Sequence, residues 1–323
     1  MIGLLSYLVF FATVATILSI AVLGLNLQWG NTGLFNGGVA AFFGAGAYGT
    51  LILGSTPQDG HLGGYALPYP LALLGGMLAA GLLAWGVGRL TLKLRHDYLA
   101  IATFGVAVAF ENVMRNAEWL SGGAKGLRGF ERPLQDLIGP GLTYNALYLA
   151  FVAVLLALTY LFLQRLVRSP FGRLLRAIRE DEEAARSLGK SPARVRLTAF
   201  VTGSVIMGMA GGLYATFYAF VSPQDVLPIL TFQIWAMLIV GGAGNNRGAI
   251  IGAFLIWGTW TASGWALSRY APVEAQIYAG SVQYVLIGSV IVGMLLWRPQ
   301  GLFPERLVVS QSGRARPGTI AAE

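Results

Sequence analysis

The chain has 323 residues, of which 55% are apolar and 11% charged, against about 25% charged in an ordinary soluble domain. That balance excludes a water-soluble globule. The absence of cysteine excludes disulfide frameworks and thiolate metal sites, and two isolated histidines make a poor metal site, so no bound metal is expected. A net charge of +8 would suit nucleic acid on a soluble protein. In a membrane chain the placement of the basic residues matters more than their sum, and no nucleic-acid partner is expected.

Apolar runs near the length an α-helix needs to cross a hydrocarbon core, about 20 residues, recur from end to end. They cover Ile2 to Leu25, Gly38 to Leu53, Pro70 to Leu90, Tyr98 to Met114, Thr143 to Leu163, Val195 to Phe220, Ile229 to Gly242, Ala249 to Leu267 and Ile277 to Trp297. The expected fold class is an all-α integral membrane protein, a polytopic bundle of about eight to ten transmembrane helices, with one amphipathic helix outside the membrane. The first run lacks the basic start and short apolar core of a signal peptide and is read as a retained helix. The 44 glycines suit helices that pack backbone to backbone where lipid supplies no hydrophobic drive. Residues 1–303 form a single membrane domain in this reading, and the polar segment 304–323 is a disordered tail. No repeat of 20 to 50 residues is visible.

The first run ends in NLQWGNTGLFNG, from Asn26 to Gly37, polar and glycine-rich between two apolar stretches. It is either a cytoplasmic turn or a broken helix inside the bundle, since non-helical backbone at membrane depth needs protein or a water-filled path around it. Basic residues fix the orientation: Arg89, Lys93, Arg247, Arg298 and the arginine-rich stretch 165–196 fall on one side, cytoplasmic by the positive-inside rule, and place the C-terminus there too. Within the fourth run, Glu111 is the only acid placed inside a span, one helical turn from Arg115, and reads as a structural pair or a point on a cargo pathway. Asn26, Asn31, Asn36 and Asn112 are, as a group, candidates for lining such a pathway, or simple bonders of turns and neighbouring helices.

The stretch from Ser169 to Arg196, SPFGRLLRAIREDEEAARSLGKSPARVR, departs most from its surroundings. Pro170 opens a helix, and Phe171, Leu174, Ile178, Ala185 and Leu188 fall near one face, while Arg173, Arg176, Glu180, Glu183 and Lys190 lie toward the other. Glu182 stands four residues before Arg186, the favourable order for an ion pair. Gly189 and Pro192 supply the stop. Four acids, Glu180, Asp181, Glu182 and Glu183, disfavour an anionic lipid surface and favour a protein partner over headgroup anchoring. Gly189-Lys190-Ser191 looks like the end of a phosphate-binding loop, but that motif needs glycine where the chain has Ala184, so ATP is not expected on this chain. Near the C-terminal end, Gly244, Gly248 and Gly252 make two small-xxx-small steps, suited to packing within the chain or to a subunit contact or gate.

Glu183, Ala184, Ala185 and, after three residues, Gly189 resemble the EAA loop of ABC importer permeases, the coupling helix that enters a groove on the ATPase. The longer string GRLLRAIREDEEAARSLG resembles the LivM-like permeases of branched-chain amino acid importers. So do LNLQWGNTGLFNGGVAAFFGAGAY, RHDYLAIATFG, SGGAKGL, LIVGGAGNNRGAIIGA and WRPQGLF, which follow in the family's order and cover most of the chain. Two departures stand out: AFVT at Ala199 to Thr202 replaces Ile-x-Leu-Pro, and GLFNGG at Gly33 to Gly38 replaces the commoner Gly-Gln-x-Ser-Leu-Gly-His. The resemblance implies a non-catalytic permease subunit of the bacterial inner membrane. Its partners would be a second, LivH-like permease, two cytoplasmic ATPases carrying ATP and Mg, and a periplasmic substrate-binding protein. Arg179, Glu180, Asp181, Glu182, Glu183, Ala184, Ala185 and Gly189 would engage the ATPase. Branched-chain amino acids are the implied cargo, with urea, amides, other amino acids and small organic acids handled by relatives of the same build. An ion-coupled secondary transporter is the rival class, expected to show intramembrane ionisable residues or internal repeats.

Overall fold

The computed structural model describes residues 2–57, 62–94, 96–130, 132–133, 135, 139, 141–270, 272, 276 and 278–305. Residues 306–323, most of the segment read as a tail, and Ile277, the start of the last apolar run, lie outside the described residues.

Each of the nine apolar runs corresponds to one helix. They are α1 (Ile2–Gln28), α2 (Val39–Gly54), α3 (Tyr69–Thr91) and α4 (His96–Asn116), then, after a short α5 (Glu118–Ser121), α6 (Leu142–Arg168). The amphipathic stretch forms α7 (Pro170–Glu180) and α8 (Glu182–Ser187), and α9 (Pro192–Tyr218), α10 (Ile229–Gly241), α11 (Asn246–Tyr270) and α12 (Ala279–Trp297) complete the bundle. Among the described residues, seven helices are long and apolar enough to cross a membrane: α1, α3, α4, α6, α9, α11 and α12. At 16 and 13 residues, α2 and α10 rise only about 24 and 20 Å at 1.5 Å per residue, short of a hydrocarbon core of roughly 30 Å.

The axis of the bundle is α1. From Thr13 to Gln28 every residue is buried, as expected of a helix that is apolar on all sides. Its hydroxyls there are satisfied locally, with those of Thr13, Thr16 and Ser19 donating to the carbonyls of Val9, Ala12 and Ala15. α1 runs antiparallel to α9: the rings of Phe10 and Phe217 stand 5.4 Å apart near one end, and Gly24 backs onto the Gly203 carbonyl toward the other. α2 lies parallel to α9, with Gly46 against Gly208 and Thr50 against Gly212.

The chain contains an inverted structural repeat that its sequence hides. α1 and α9 each span 27 residues; each is followed by an interruption (29–38 and 219–228), a short helix (α2, α10) and a long return helix (α3, α11), and the two sets run in opposite directions. α3 packs on α9 while α11 packs on α1. The two sets share the order long, short, long, at 27, 16 and 23 residues against 27, 13 and 25.

Basic residues assigned to one side do gather at one end. Arg89, Lys93, Arg194 and Arg196 line a common cleft with Glu182 and Arg186, and Arg247 reaches the Tyr160 hydroxyl near the same end of α6. At the opposite end Leu127 and Val221 form an isolated antiparallel bridge.

Glycine sets the closest approach in the bundle. A Cβ on Gly46 would lie 2.0 Å from the Gly208 carbonyl oxygen, and one on Gly211 would lie 1.8 Å from that of Phe43. Backbone cannot yield as a side-chain tip can, so Gly46→Ala is expected to cost about 1–3 kcal/mol or more through overpacking. Gly86→Ala, where a Cβ meets nothing within 4 Å, should stay within about 0.5 kcal/mol. Thermal unfolding of the two variants in detergent compares them directly, and equal midpoints would contradict this packing.

Candidate functional site

Between α1 and α2 the chain stays inside the protein: Gly30, Asn31, Thr32, Leu34, Asn36, Gly37 and Gly38 are all buried. Of the two readings left open, the broken helix describes this segment. The last carbonyls of α1 find their partners at once. The Asn31 amide side chain donates to Asn26 O and the Thr32 hydroxyl to Leu27 O, while the backbone N–H of Leu34 returns to Gln28 O. These bonds meet the requirement that helix-end carbonyls not be left bare in a low dielectric.

The first turn of α2 is satisfied from three directions. Asn36 Oδ1 accepts from Gly38 N, Thr103 of α4 accepts from Gly37 N, and Thr231 of α10 accepts from Ala40 N. Asn36 also donates to Gln28 Oε1 and accepts at its carbonyl from the Trp235 indole, and Gln28 in turn donates to Phe200 O of α9. Asn26, fully buried, accepts from Gly244 N at 2.8 Å and donates to Asn246 Oδ1 at 2.8 Å. One polar network therefore ties α1, α2, α4, α9, α10 and α11 around the break.

Beside this network lies an apolar groove of about 610 Å³ between the break, α4, α10 and α12. Its inner wall is an aromatic cluster in which Trp29, Phe35 and Trp235 have ring centroids 4.2 to 5.3 Å apart, with Phe104, Phe232 and Ile291 nearby. Gly37 and Thr231 bring the starts of both short helices to its lining.

The structure brings three of the four asparagine candidates together. Asn26, Asn31 and Asn36 gather at the break, but they are buried behind the aromatic wall and brace it, and none of them lines the groove. Asn112 is exposed and donates to Val108 O of its own helix, so its amide faces away from the network. Glu111 is buried and pairs with Arg115 on α4, about two helical turns beyond Phe104. Composition could flag the polar string in an apolar run but could not separate bracing amides from lining rings; Gln28, Thr103, Thr231 and the three aromatics were missed for that reason.

The amphipathic stretch is two helices rather than one. Asp181, at φ −152° and ψ 106°, ends α7 and caps α8, its Oδ1 accepting from both Glu183 N and Ala184 N at 2.9 Å. An aspartate carboxylate that captures the next turn's free N–H groups competes with helix continuation. Leu175, Ile178 and Ala185 face the bundle, as does Gly172, while Glu180, Asp181, Glu183, Ala184 and Gly189 are exposed. Leu188, expected on the covered face, is 79% exposed because α8 ends at Ser187. Glu182 turns back to bind Arg186 at 2.9 Å and the buried Arg196 at 2.8 Å, fixing α8 to the start of α9. Arg179 points into the protein, bonding Gly30 O and Glu305.

The glycine steps serve packing within the chain. Gly248 and Gly252 press α11 against Gly241 and Met237 of α10, and Gly244 belongs to the turn before α11, not to the helix. The described residues at the start of the segment read as a tail are held on the bundle: Leu302 and Phe303 just before it donate to Val240 O and Gly241 O, Pro304 O accepts from Asn245, and Glu305 holds Arg179.

Comparison with known proteins accords with this architecture. Residues 7–295 match the family model described as "Branched-chain amino acid transport system / permease component". The chain is 33% identical over 316 residues to the high-affinity branched-chain amino acid transport system permease protein LivM of Escherichia coli K12, covering 91% of this chain and 69% of that protein. It is 26% identical over 334 residues to a probable LivM permease of Methanocaldococcus jannaschii, covering 90% and 91%. An autoinducer 2 import permease, LsrC, of Yersinia pseudotuberculosis is 26% identical over 60% of the chain and 53% of its own length. No solved structure matches. With its broken central helix, inverted halves and capped helix pair, the chain is a polytopic membrane protein that belongs to the family of branched-chain amino acid transport permeases.

Proposed function

We infer that this permease forms one half of the translocation pore of an ATP-driven importer in a bacterial inner membrane, with branched-chain amino acids as cargo. The observation that carries this reading is the α7–α8 elbow. One side of it is packed on the bundle through Leu175, Ile178 and Ala185, and the other presents Glu180, Asp181, Glu183, Ala184 and Leu188 outward. An exposed leucine among carboxylates suits a protein groove better than an anionic lipid surface. Two ATPase subunits, which would hold ATP and Mg, meet this elbow on the cytoplasmic side, and the C-terminal segment ends on the same side.

The groove supplies the path. Its lining is aromatic and aliphatic, as an aliphatic side chain requires, and it is open along α4 and α12, where Ile101 and Leu295 are exposed. A second, LivH-like permease closes that side in this reading, and a periplasmic binding protein delivers cargo at the Leu127–Val221 end. Relatives named for autoinducer 2 import show that the build serves other solutes, so cargo choice is a separate question from the machine. The inverted repeat is shared with ion-coupled carriers and does not separate the two classes. The one buried acid in α4, Glu111, already has Arg115 as its counter-ion, which favours ATP over an ion gradient as the energy source.

Two measurements test this. In liposomes holding this chain, its neighbouring permease and the ATPase, supplied with binding protein, Glu183→Arg is expected to abolish ATP-dependent leucine uptake while the permeases still insert. Uptake by this chain alone on an ion gradient, indifferent to Glu183, would sink the reading. Phe232→Ser removes an exposed ring from the groove wall and, at roughly 1 kcal/mol of lost apolar contact, should lower leucine uptake about fivefold with the complex intact. Undiminished uptake of leucine by that variant would place the cargo elsewhere.

A further inference from the structure

One side chain, that of Arg179, bridges the coupling segment and the break that borders the groove. Arg179, on the last turn of α7, sends Nη1 to the carbonyl of Gly30 in the α1–α2 break and Nη2 to Glu305 Oε2 at 2.9 Å. Both partners of this ion pair are mostly buried, with side-chain exposures of 25% and 22%. The seat around them is cut from glycine. Gly33, at φ +71°, leaves the space in which a Cβ would stand 2.9 Å from Arg179 Cγ, and Gly244, at φ +83°, does the same 2.9 Å from the Glu305 carboxyl carbon. Positive φ and missing Cβ together make both positions costly for any other residue.

From this seat two short paths reach the groove. Gly30 adjoins Trp29, and Gly244 adjoins Ala243; Trp29 and Ala243 line both the groove and the smaller cleft of about 380 Å³ that contains Arg179 and Glu305. The break and the α10–α11 turn are themselves bonded, through Gly244 N to Asn26 Oδ1. A displacement of α7 cannot leave Arg179 in place without pulling on Gly30 or releasing it, and either event reaches Trp29 one residue away.

We propose that Arg179, held by Glu305, is the positioning residue that transmits movement of the α7–α8 elbow to the aromatic wall of the cargo groove. It is a latch inside the permease and not a contact to the ATPase. The proposal rests on the importer reading above and assigns the link within it. Arginine suits the task because its planar fork serves two acceptors at once, whereas a lysine ammonium offers a single point charge on a flexible stem. By linkage, a link of this kind changes transport only if its bonds differ between the two forms of the pore.

The test uses the full complex in liposomes, with ATP hydrolysis and leucine uptake measured together and ATPase retention checked by affinity purification, for wild type, Arg179→Ala, Arg179→Lys and Glu305→Gln. Arg179→Ala is expected to keep the ATPase bound and its cargo-independent hydrolysis within about twofold, and to lower leucine moved per ATP by about tenfold, the scale of one charge-assisted hydrogen bond. Arg179→Lys and Glu305→Gln should fall by about threefold under the same rule, and they carry the test if the alanine variant fails to insert. Wild-type uptake per ATP in these variants would overturn the latch. Loss of the ATPase from Arg179→Ala would overturn it too, assigning Arg179 to docking. A wild-type complex with no ATP-dependent uptake of leucine or of any other solute tried would overturn the importer reading itself, and the latch with it.

Discussion

Everything in this protein is arranged around the need to satisfy backbone groups where there is no water. In hydrocarbon an unpaired N–H or C=O costs several kcal/mol, so a chain that crosses the membrane must either stay helical or bring its own partners to any break. This chain breaks its central helix at residue 29 and brings partners from α4 and α10 to the break. Asn26, Gln28, Asn31, Thr32 and Asn36 come from the chain itself, and Thr103, Thr231 and Trp235 come from α4 and α10. The groove exists because the helix ends there, and the helix can end there because these partners are in place.

The same constraint explains which parts were legible in the sequence. The seven long spans were visible because each needs about 20 apolar residues, a statement composition alone can make. The break was visible as a polar, glycine-rich string in an apolar run. What it does was not: an asparagine that braces a wall and one that lines a path have the same letters. The division of the coupling stretch at Asp181 was hidden because the residue sits in a run of acids that reads as one solvated face. Only the acids that follow it, Glu182 and Glu183 in the first turn of α8, signalled a second helix start.

Arg179 shows the limit most clearly. The family resemblance grouped it with its acidic neighbours as a contact for the ATPase, and the structure turns it inward onto Gly30 and Glu305. Glu305 lay beyond the last apolar run, in a segment whose polarity read as a disordered tail. Pairs separated by more than a hundred residues leave no local pattern, and neither does the inverted relation between the α1 and α9 sets, which lies in the order and direction of their helices.

The two short helices carry one further consequence. α2 and α10 begin within the bundle and their first turns touch, through Ala40 N and the Thr231 hydroxyl, beside the groove lined by Gly37 and Thr231. Each helix start bears roughly half a positive elementary charge, so two such ends face the same stretch of the path in a low dielectric. A bare cation entering there meets repulsion from both, while a solute carrying its own carboxylate does not. The two helix starts thus give an otherwise apolar groove one electrostatic polarity beside Gly37 and Thr231.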